Sequence, residues 1–304
     1  MMMEYIYFNG RFVPEGEAKI SVKNKTFNYG LGAIEGIRGY WNEEQQELFL
    51  FRLEDHYKRL LNSCKVLFIA IPYTVKELCE ITVELMKINK VKRDISIRPI
   101  AFINLPSLRP DLFETEYGLT IFIEETSYVV KPAVNALISS WLRIENSTIP
   151  PTVKSIGGYL NSALAYSQAV AEGSDEAIFV TREGNISEAS TNNLFMMKKG
   201  ELFTPPLADN ILEGITRDTI MKIAEKDYSL NVHEMSIARS ELYFAEEIFL
   251  TGTAVEVLPV ISVDKRKIGT GEAGPITTQL QRAYLQIVMG KNAKYREFLT
   301  PVYG

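Results

Sequence analysis

Apolar and polar positions along the chain mark out short strands alternating with amphipathic helices. In "EYIYFNGRFV" two short runs flank Asn9-Gly10, a pair that predicts a hairpin turn. "ELFLFRLEDHYKRLLNSCKVL" reads as a strand followed by a helix with Leu60, Leu61 and Cys64 turned inward. Thr74 and Glu77 form a capping box for a further helix reaching about Asn89. "DISIRPIAFI" and "GLTIFIEE" predict two more strands. Alternation in the first puts Ser96 and Arg98 on one face, with Ile95 and Ile97 on the other. Residues 126–136, which include Tyr128 and Pro132, read as a connector between a portion spanning 1–125 and a second spanning 137–304.

The second portion begins with "NALISSWLRI". "TVKSIGGYLNSALAYSQA" follows and predicts a helix after Tyr159, with Leu160, Ala163, Leu164 and Ser167 on one side and Gly173 as its stop. Further on come the strand "EAIFVT", a turn at Glu183-Gly184-Asn185, the hairpin "NLFMMKKGELFTP", two helix patterns, the strand "EEIFLTG" and a helix after Pro275. Strands and helices mix without a repeated unit, so the fold class is α+β, or mixed α/β, rather than a barrel.

Composition narrows the function. A length of 304 residues is enough for two buried cores, and the net charge of −5 comes with no basic stripe, which argues against nucleic acid. No apolar run nears the roughly 20 residues of a membrane span, and "MMMEYIYFNGRF" lacks the regions of a signal peptide. Cys64 and Cys79, the two cysteines, read as reduced core thiols, and the expectation is a cytoplasmic protein. Only two histidines, His56 and His233, are present, which excludes a His-rich zinc site. Neither histidine sits in a Gly-x-Ser-x-Gly setting. Proton transfer in an enzyme of this composition falls to a lysine, carboxylate or tyrosine, or the hard chemistry falls to a cofactor.

Several stretches offer that chemistry, each with an ordinary alternative. "GTGEAG" matches a dinucleotide pattern, but Pro275 follows at once and no room remains for a βαβ unit, so it reads as a turn before a helix. In "LEGITRD", Gly214 leads Ile215 and Thr216 into a helix, which suits a phosphate or a plain N-cap. "FLTGTAVE" closes a strand with Gly252, Thr253 and Ala254, either an anion site or a tight turn. Arg59 by itself is a solvated helix residue, Glu188 in "NISEASTNNLF" is a ring-nitrogen ligand or a surface acid, and Lys154 before Gly157-Gly158 is a loop lysine.

Taken together, "GAIEGIRGY", "FRLEDHYKRL", "IRPIAF", "TVKSIGGYLNS", "DEAIFVTREGNISEASTNNLF", "LFTPPLADNILEGITRD", "ELYFAEEIFLTGTAVEVLPV" and "GPIT" cover nearly the whole chain. In that order they resemble the class IV, fold-type IV aminotransferases that use pyridoxal 5'-phosphate, and most closely the branched-chain amino acid aminotransferases. The resemblance implies a small N-terminal α/β domain, a larger cofactor-binding C-terminal domain with a distorted barrel-like core, and a homodimer or higher homo-oligomer. It implies ping-pong transfer of the amino group between leucine, isoleucine or valine and 2-oxoglutarate. Lys154 falls on the lysine that holds the cofactor through a Schiff base and moves the proton. Glu188 falls on the acid paired with the pyridine nitrogen, and Tyr159 on the tyrosine beside the cofactor's phenolic oxygen. Leu212 falls on the residue packed against the ring. The phosphate is expected among Arg59, Gly214, Ile215, Thr216, Gly252 and Thr253. Substrate contacts are expected from Tyr29, Ile34, Arg38, Ser96, Arg98, Thr253 and Ala254. Ile34 and Ser96 stand where the family commonly has phenylalanine and tyrosine. Relatives of the same fold, namely D-amino acid or (R)-amine transaminases and aminodeoxychorismate lyase, are the alternative, as is a binding protein without activity.

Overall fold

Asn9 and Gly10 both take positive φ, 47° and 92°, and the turn closes the hairpin of Tyr5–Phe8 with Arg11–Pro14. The computed structural model describes residues 4–113, 116–125 and 131–304, so Tyr128 and the first half of the expected connector lie outside them. Among the described residues six α-helices are defined: α1 (Lys25–Tyr29), α2 (Leu53–Val66), α3 (Val75–Ile88), α4 (Tyr159–Ala171), α5 (Ile215–Tyr228) and α6 (Pro275–Val288). The expected capping box at Thr74 and Glu77 starts α3. The "GTGEAG" stretch is a turn leading to α6.

The chain divides into two units. The first comprises 1–127, 153–157 and 286–304, and the second 128–152 and 158–285. This departs from a single break at 126–136 in three ways, each traceable to backbone bonding. Val134–Ile138 is a strand of the second unit, paired in parallel with Glu176–Val180 and Glu256–Val263. The segment around Lys154 joins the first unit because Ile34 N donates to Lys154 O (3.0 Å), Ile156 N to Gly32 O (2.9 Å) and Gly157 N to Gly30 O (3.1 Å). The C-terminus returns as the strand Leu299–Pro301 beside Glu47–Phe51. There the Glu47 carboxylate accepts the amides of Val302, Tyr303 and Gly304 at 2.7–2.9 Å.

The first unit is an eight-stranded antiparallel sheet. Its order is Leu299–Pro301, Glu47–Phe51, Ile37–Asn42, Ile95–Ile103, Tyr117–Glu125, Tyr5–Phe8 and Arg11–Pro14, with Gly32–Ile34 also on Ile95–Ile103. The inward faces of α2 (Leu53, Tyr57, Leu60, Cys64) and α3 (Leu78, Leu85, Met86) share one core with Ile37, Leu48, Leu50, Ile95 and Ile97. Each such side chain taken from water contributes about 1.5–3 kcal/mol. Neither Cys64 nor Cys79 is in a disulfide, and burial pushes the pKa of each thiol up to about 12, so neither is a ready nucleophile.

Among the described residues the second unit carries a nine-stranded mixed sheet. Leu160, Ala163, Leu164 and Ser167 share one side of α4, and that side faces outward. Ser162, Ala165 and Ala169 are buried, the two alanines against Ala177 and Phe179, whereas Leu160 is 68 % exposed and Leu164 lies outward too. Small side chains let this helix approach its strand closely, so its large apolar residues are left on the outside.

Candidate active site

In the first unit the site is organised by a break in a ladder. Gly32–Ile34 and Ile37–Asn42 pair with the same strand, at Ile34↔Ile100 and Ile37↔Ile97, leaving Glu35-Gly36 opposite Arg98-Pro99. Pro99 has no N–H to give, so the ladder is interrupted there, although Glu35 N still donates to Pro99 O (3.0 Å). Glu35 is fully buried. Its Oε1 accepts Arg59 Nε at 2.7 Å, and its Oε2 accepts Arg59 Nη2 at 2.8 Å, His56 Nδ1 at 2.7 Å and Gly36 N at 3.3 Å. Far from being merely solvated, Arg59 has a side chain only 14 % exposed. His56, Arg59 and Ser63 sit three and four residues apart on one side of α2. Ser63 Oγ accepts the backbone N–H of half-buried Lys154 at 3.2 Å. Ser63 is thus the α2 residue that anchors Lys154, and the bond from Ile34 to Lys154 O seats the same residue from the strand side.

Burial alone would raise the Glu35 carboxyl, but the Arg59 guanidinium, helped by the His56 N–H, outweighs it and holds the group well below the usual carboxylate range. Burial pushes His56 below its ordinary value, so the ring is neutral and donates from Nδ1. Below about pH 6.5 the unfolded chain therefore takes a proton at this residue that the folded chain refuses, and stability falls. Glu35 stays ionised in both states until pH drops into the ordinary carboxylate range, so between pH 7 and 5 the loss belongs to His56 rather than Glu35. The melting temperature is expected to fall over that window. It should fall less steeply in His56→Asn, whose amide can replace the Nδ1–H donor. Equal slopes in the two proteins would assign the loss to other groups.

Of the residues expected on the substrate side, Ile34, Arg38, Ser96 and Arg98 occupy the same sheet and Tyr29 the helix α1 before it. Ser96 lies opposite Arg38 in register and is half-buried, while Arg98 is exposed, with Ile95 and Ile97 buried on the other face as expected. The strand is paired on both sides, so Arg98 does not project from a sheet edge. Ile34 and Arg38 are buried, and the Arg38 guanidinium lies 5.5 Å from the Tyr40 ring centre. Tyr29, the last residue of α1, is partly exposed and donates its hydroxyl to Leu108 O at 2.7 Å.

In the second unit Glu188 is not a surface acid but only 4 % exposed. Its Oε1 meets Arg143 Nη2 at 2.6 Å, and its Oε2 accepts Asn193 Nδ2 at 2.9 Å and Leu212 N at 3.1 Å. Arg143 is itself oriented, lying 5.3 Å from the Phe179 ring centre and donating from Nε to Asn210 O at 3.4 Å. This donor set suits a carboxylate, not a neutral acid. Gly214 is the N-cap of α5 and makes no side-chain cap bond; Ile215 and Thr216 open the helix, both buried. A Cβ on Gly214 would lie 1.8 Å from Asn193 Oδ1, and one on Gly252 2.4 Å from Asn192 Oδ1. The consecutive asparagines 192 and 193 therefore pack against both glycines, and only glycine permits the approach. Thr253 and Ala254 form the turn after Glu247–Gly252, Thr253 half-buried and Ala254 exposed. Tyr159 is half-buried at the first position of α4.

Sequence reading missed Glu35, His56, Ser63, Arg143, Asn192 and Asn193. Glu35 did carry a signal, because a lone carboxylate inside "GAIEGI" has to be paired if it is buried. The others carried none, since polar residues on a helix or in a turn are ordinary. Among the described residues no cluster of His, Cys, Asp and Glu could hold a metal, and no helix is long and apolar enough to cross a membrane.

The family described as Amino-transferase class IV matches residues 32–263, and the chain belongs to it. Its full-length likeness is to branched-chain-amino-acid aminotransferases. The probable enzyme of Aquifex aeolicus (strain VF5) is 43 % identical over 99 % of this chain and 97 % of its own length. The crystal structure of the branched-chain aminotransferase from the thermophilic archaeon Thermoproteus uzoniensis with norvaline is 43 % identical, with a TM-score of 0.95 over 99 % of this chain and 100 % of that one. A T.th. branched-chain amino acid aminotransferase complexed with N-(5'-phosphopyridoxyl)-L-glutamate is 38 % identical, with a TM-score of 0.93 over 99 % of each chain. The mixed α/β architecture is that of these enzymes.

Proposed function

We propose that this chain is a branched-chain-amino-acid aminotransferase that carries pyridoxal 5'-phosphate on Lys154 and exchanges the amino group of leucine, isoleucine or valine with 2-oxoglutarate. The observation carrying this reading is the buried Glu188 carboxylate, fixed by Arg143, Asn193 and the Leu212 amide. It sits in a chain whose full-length relatives include an enzyme complexed with a phosphopyridoxyl-glutamate adduct.

Each part of the cofactor finds a counterpart in this chain. Lys154 offers an amine for the aldehyde. Arg59, Thr216, Thr253 and the start of α5, where the helix dipole favours negative charge, suit the phosphate. Gly214 and Gly252 keep the backbone bare there, since Asn193 Oδ1 and Asn192 Oδ1 occupy the space a Cβ would need. Glu188 suits a protonated ring nitrogen, Tyr159 the phenolic oxygen and Leu212 the ring face. When bound, the cofactor supplies an electron-withdrawing ring that accepts the electron pair left at the substrate Cα and carries the amino group between the two substrates.

The chain's own residues do the rest. With the cofactor bound, Lys154 Nζ would be the base that takes the proton from the substrate Cα and gives it back, which one mobile amine can do. Glu188 keeps the ring nitrogen protonated, and Arg143 and Asn193 keep Glu188 in place. Arg38 and Tyr29 are assigned to the substrate carboxylate side, with Ile34 and Ala254 beside the apolar tail. Ser96 is too short to reach as far as a tyrosine would. A homodimer fits the exposed apolar side chains of the second unit, among them Leu160 and Val170 on α4. The purified holoenzyme should be yellow and should bleach on addition of L-leucine, with 2-oxoglutarate restoring the colour. Bleaching by D-amino acids alone would refute the branched-chain L-assignment.

Arg98 is exposed at the strand position assigned to glutamate's side-chain carboxylate. A long arginine can meet that charge and turn to water when the tail is apolar. Arg98→Ala is expected to weaken glutamate and 2-oxoglutarate by about ten- to a hundredfold, the worth of a charged hydrogen bond, while the leucine half-reaction changes little. Equal losses in the two half-reactions would move Arg98 to the α-carboxylate or to the fold.

A further inference from the structure

Glu35 is buried and bonded on both oxygens, and the catalytic steps above make no use of it. Its two bonds to Arg59 run to Nε and Nη2, the two nitrogens along one edge of the guanidinium (2.7 and 2.8 Å). A carboxylate on that edge fixes the plane of the group, since rotation of the arginine breaks both bonds together. Glu35 is itself fixed, by His56 Nδ1 on the same helix as Arg59 and by its own N–H to Pro99 O. Its position follows from the ladder break opposite Pro99, between Ile34 and Arg38.

We infer that Glu35 is a positioning residue for the cofactor phosphate, holding the Arg59 guanidinium in the one orientation from which it grips that group. The inference rests on the proposed role of Arg59. It also means that the strand break carrying Ile34 and Arg38 sets the phosphate grip through one carboxylate. The opposing account is a buried ion pair that serves only the fold.

Phosphate dependence separates the two. Glu35→Gln keeps the shape and one acceptor but cannot hold both edge nitrogens. The Glu35→Gln holoenzyme should release pyridoxal 5'-phosphate faster, and its affinity should fall by about ten- to a hundredfold, the worth of a lost charge-assisted bond. Its affinity for pyridoxal, which lacks the phosphate, should stay unchanged. Arg59→Ala should lose at least as much affinity for pyridoxal 5'-phosphate, and adding Glu35→Gln to it should cost nothing further. Unchanged affinity in Glu35→Gln, or equal weakening of pyridoxal and its phosphate, overturns the inference while Arg59→Ala still shows a loss. If Arg59→Ala also binds normally, the phosphate assignment of Arg59 itself has failed. Should Glu35→Gln not fold, Glu35→Asp is read by the same comparison. It keeps the charge and draws the carboxylate back from Arg59, so it should again weaken the phosphate form selectively.

Discussion

Lys154→Ala is expected to abolish transamination and leave the protein folded. Two bonds that seat residue 154 are made by its backbone: its N–H donates to Ser63 Oγ and its carbonyl accepts from Ile34 N. Alanine keeps both, so the melting temperature should hold. The amine is what disappears. Loss of a positioned proton carrier alone costs about 10²–10⁴-fold, and loss of the covalent attachment adds to it. Borohydride treatment of the wild-type holoenzyme should link the cofactor to the peptide containing Lys154, and Lys154→Ala should take up no such label. Recovery of the label on another lysine in the wild type would end the assignment.

Glu188→Gln should bind cofactor yet slow the chemical step by on the order of a hundred- to a thousandfold, the effect of losing one preorganised electrostatic partner, about 3–4 kcal/mol. A neutral amide cannot keep the ring nitrogen protonated. The structure adds a second consequence. Arg143 meets Glu188 at 2.6 Å, and both side chains are more than nine-tenths buried. Removing the carboxylate's charge leaves the arginine uncompensated, and breaking such a buried pair costs about 3–5 kcal/mol of stability. A drop in chemical rate together with a lower denaturation midpoint is therefore expected, and Arg143→Met should reproduce the stability loss. Near-normal single-turnover rates in Glu188→Gln would rule out the role of the acid.

Local signals were legible wherever a short stretch settles its own conformation. The Asn9-Gly10 hairpin, the capping box of α3 and the turn that makes "GTGEAG" a decoy each depend on neighbours a few residues away. The face of α4 was not legible in this way. The spacing puts Leu160, Ala163, Leu164 and Ser167 on one side, but that this side faces outward was decided by the partner strand, because close packing on Ala177 and Phe179 selected the small face. The strands 134–138 and 299–301 were no more legible, because they are placed by partners far along the chain.

By itself the sequence determined the family, through ordered motifs covering nearly the whole chain, and with it the residues to test. Only the tertiary structure decided which polar residues act together. Glu35 with His56 and Arg59, Ser63 with Lys154, and Glu188 with Arg143 and Asn193 are pairings across 5 to 91 positions of chain. Within each of these groups a charge or a buried N–H that local sequence leaves unpaired has to find its partner in the folded core. Desolvation makes such pairing obligatory, and only the three-dimensional arrangement says with whom.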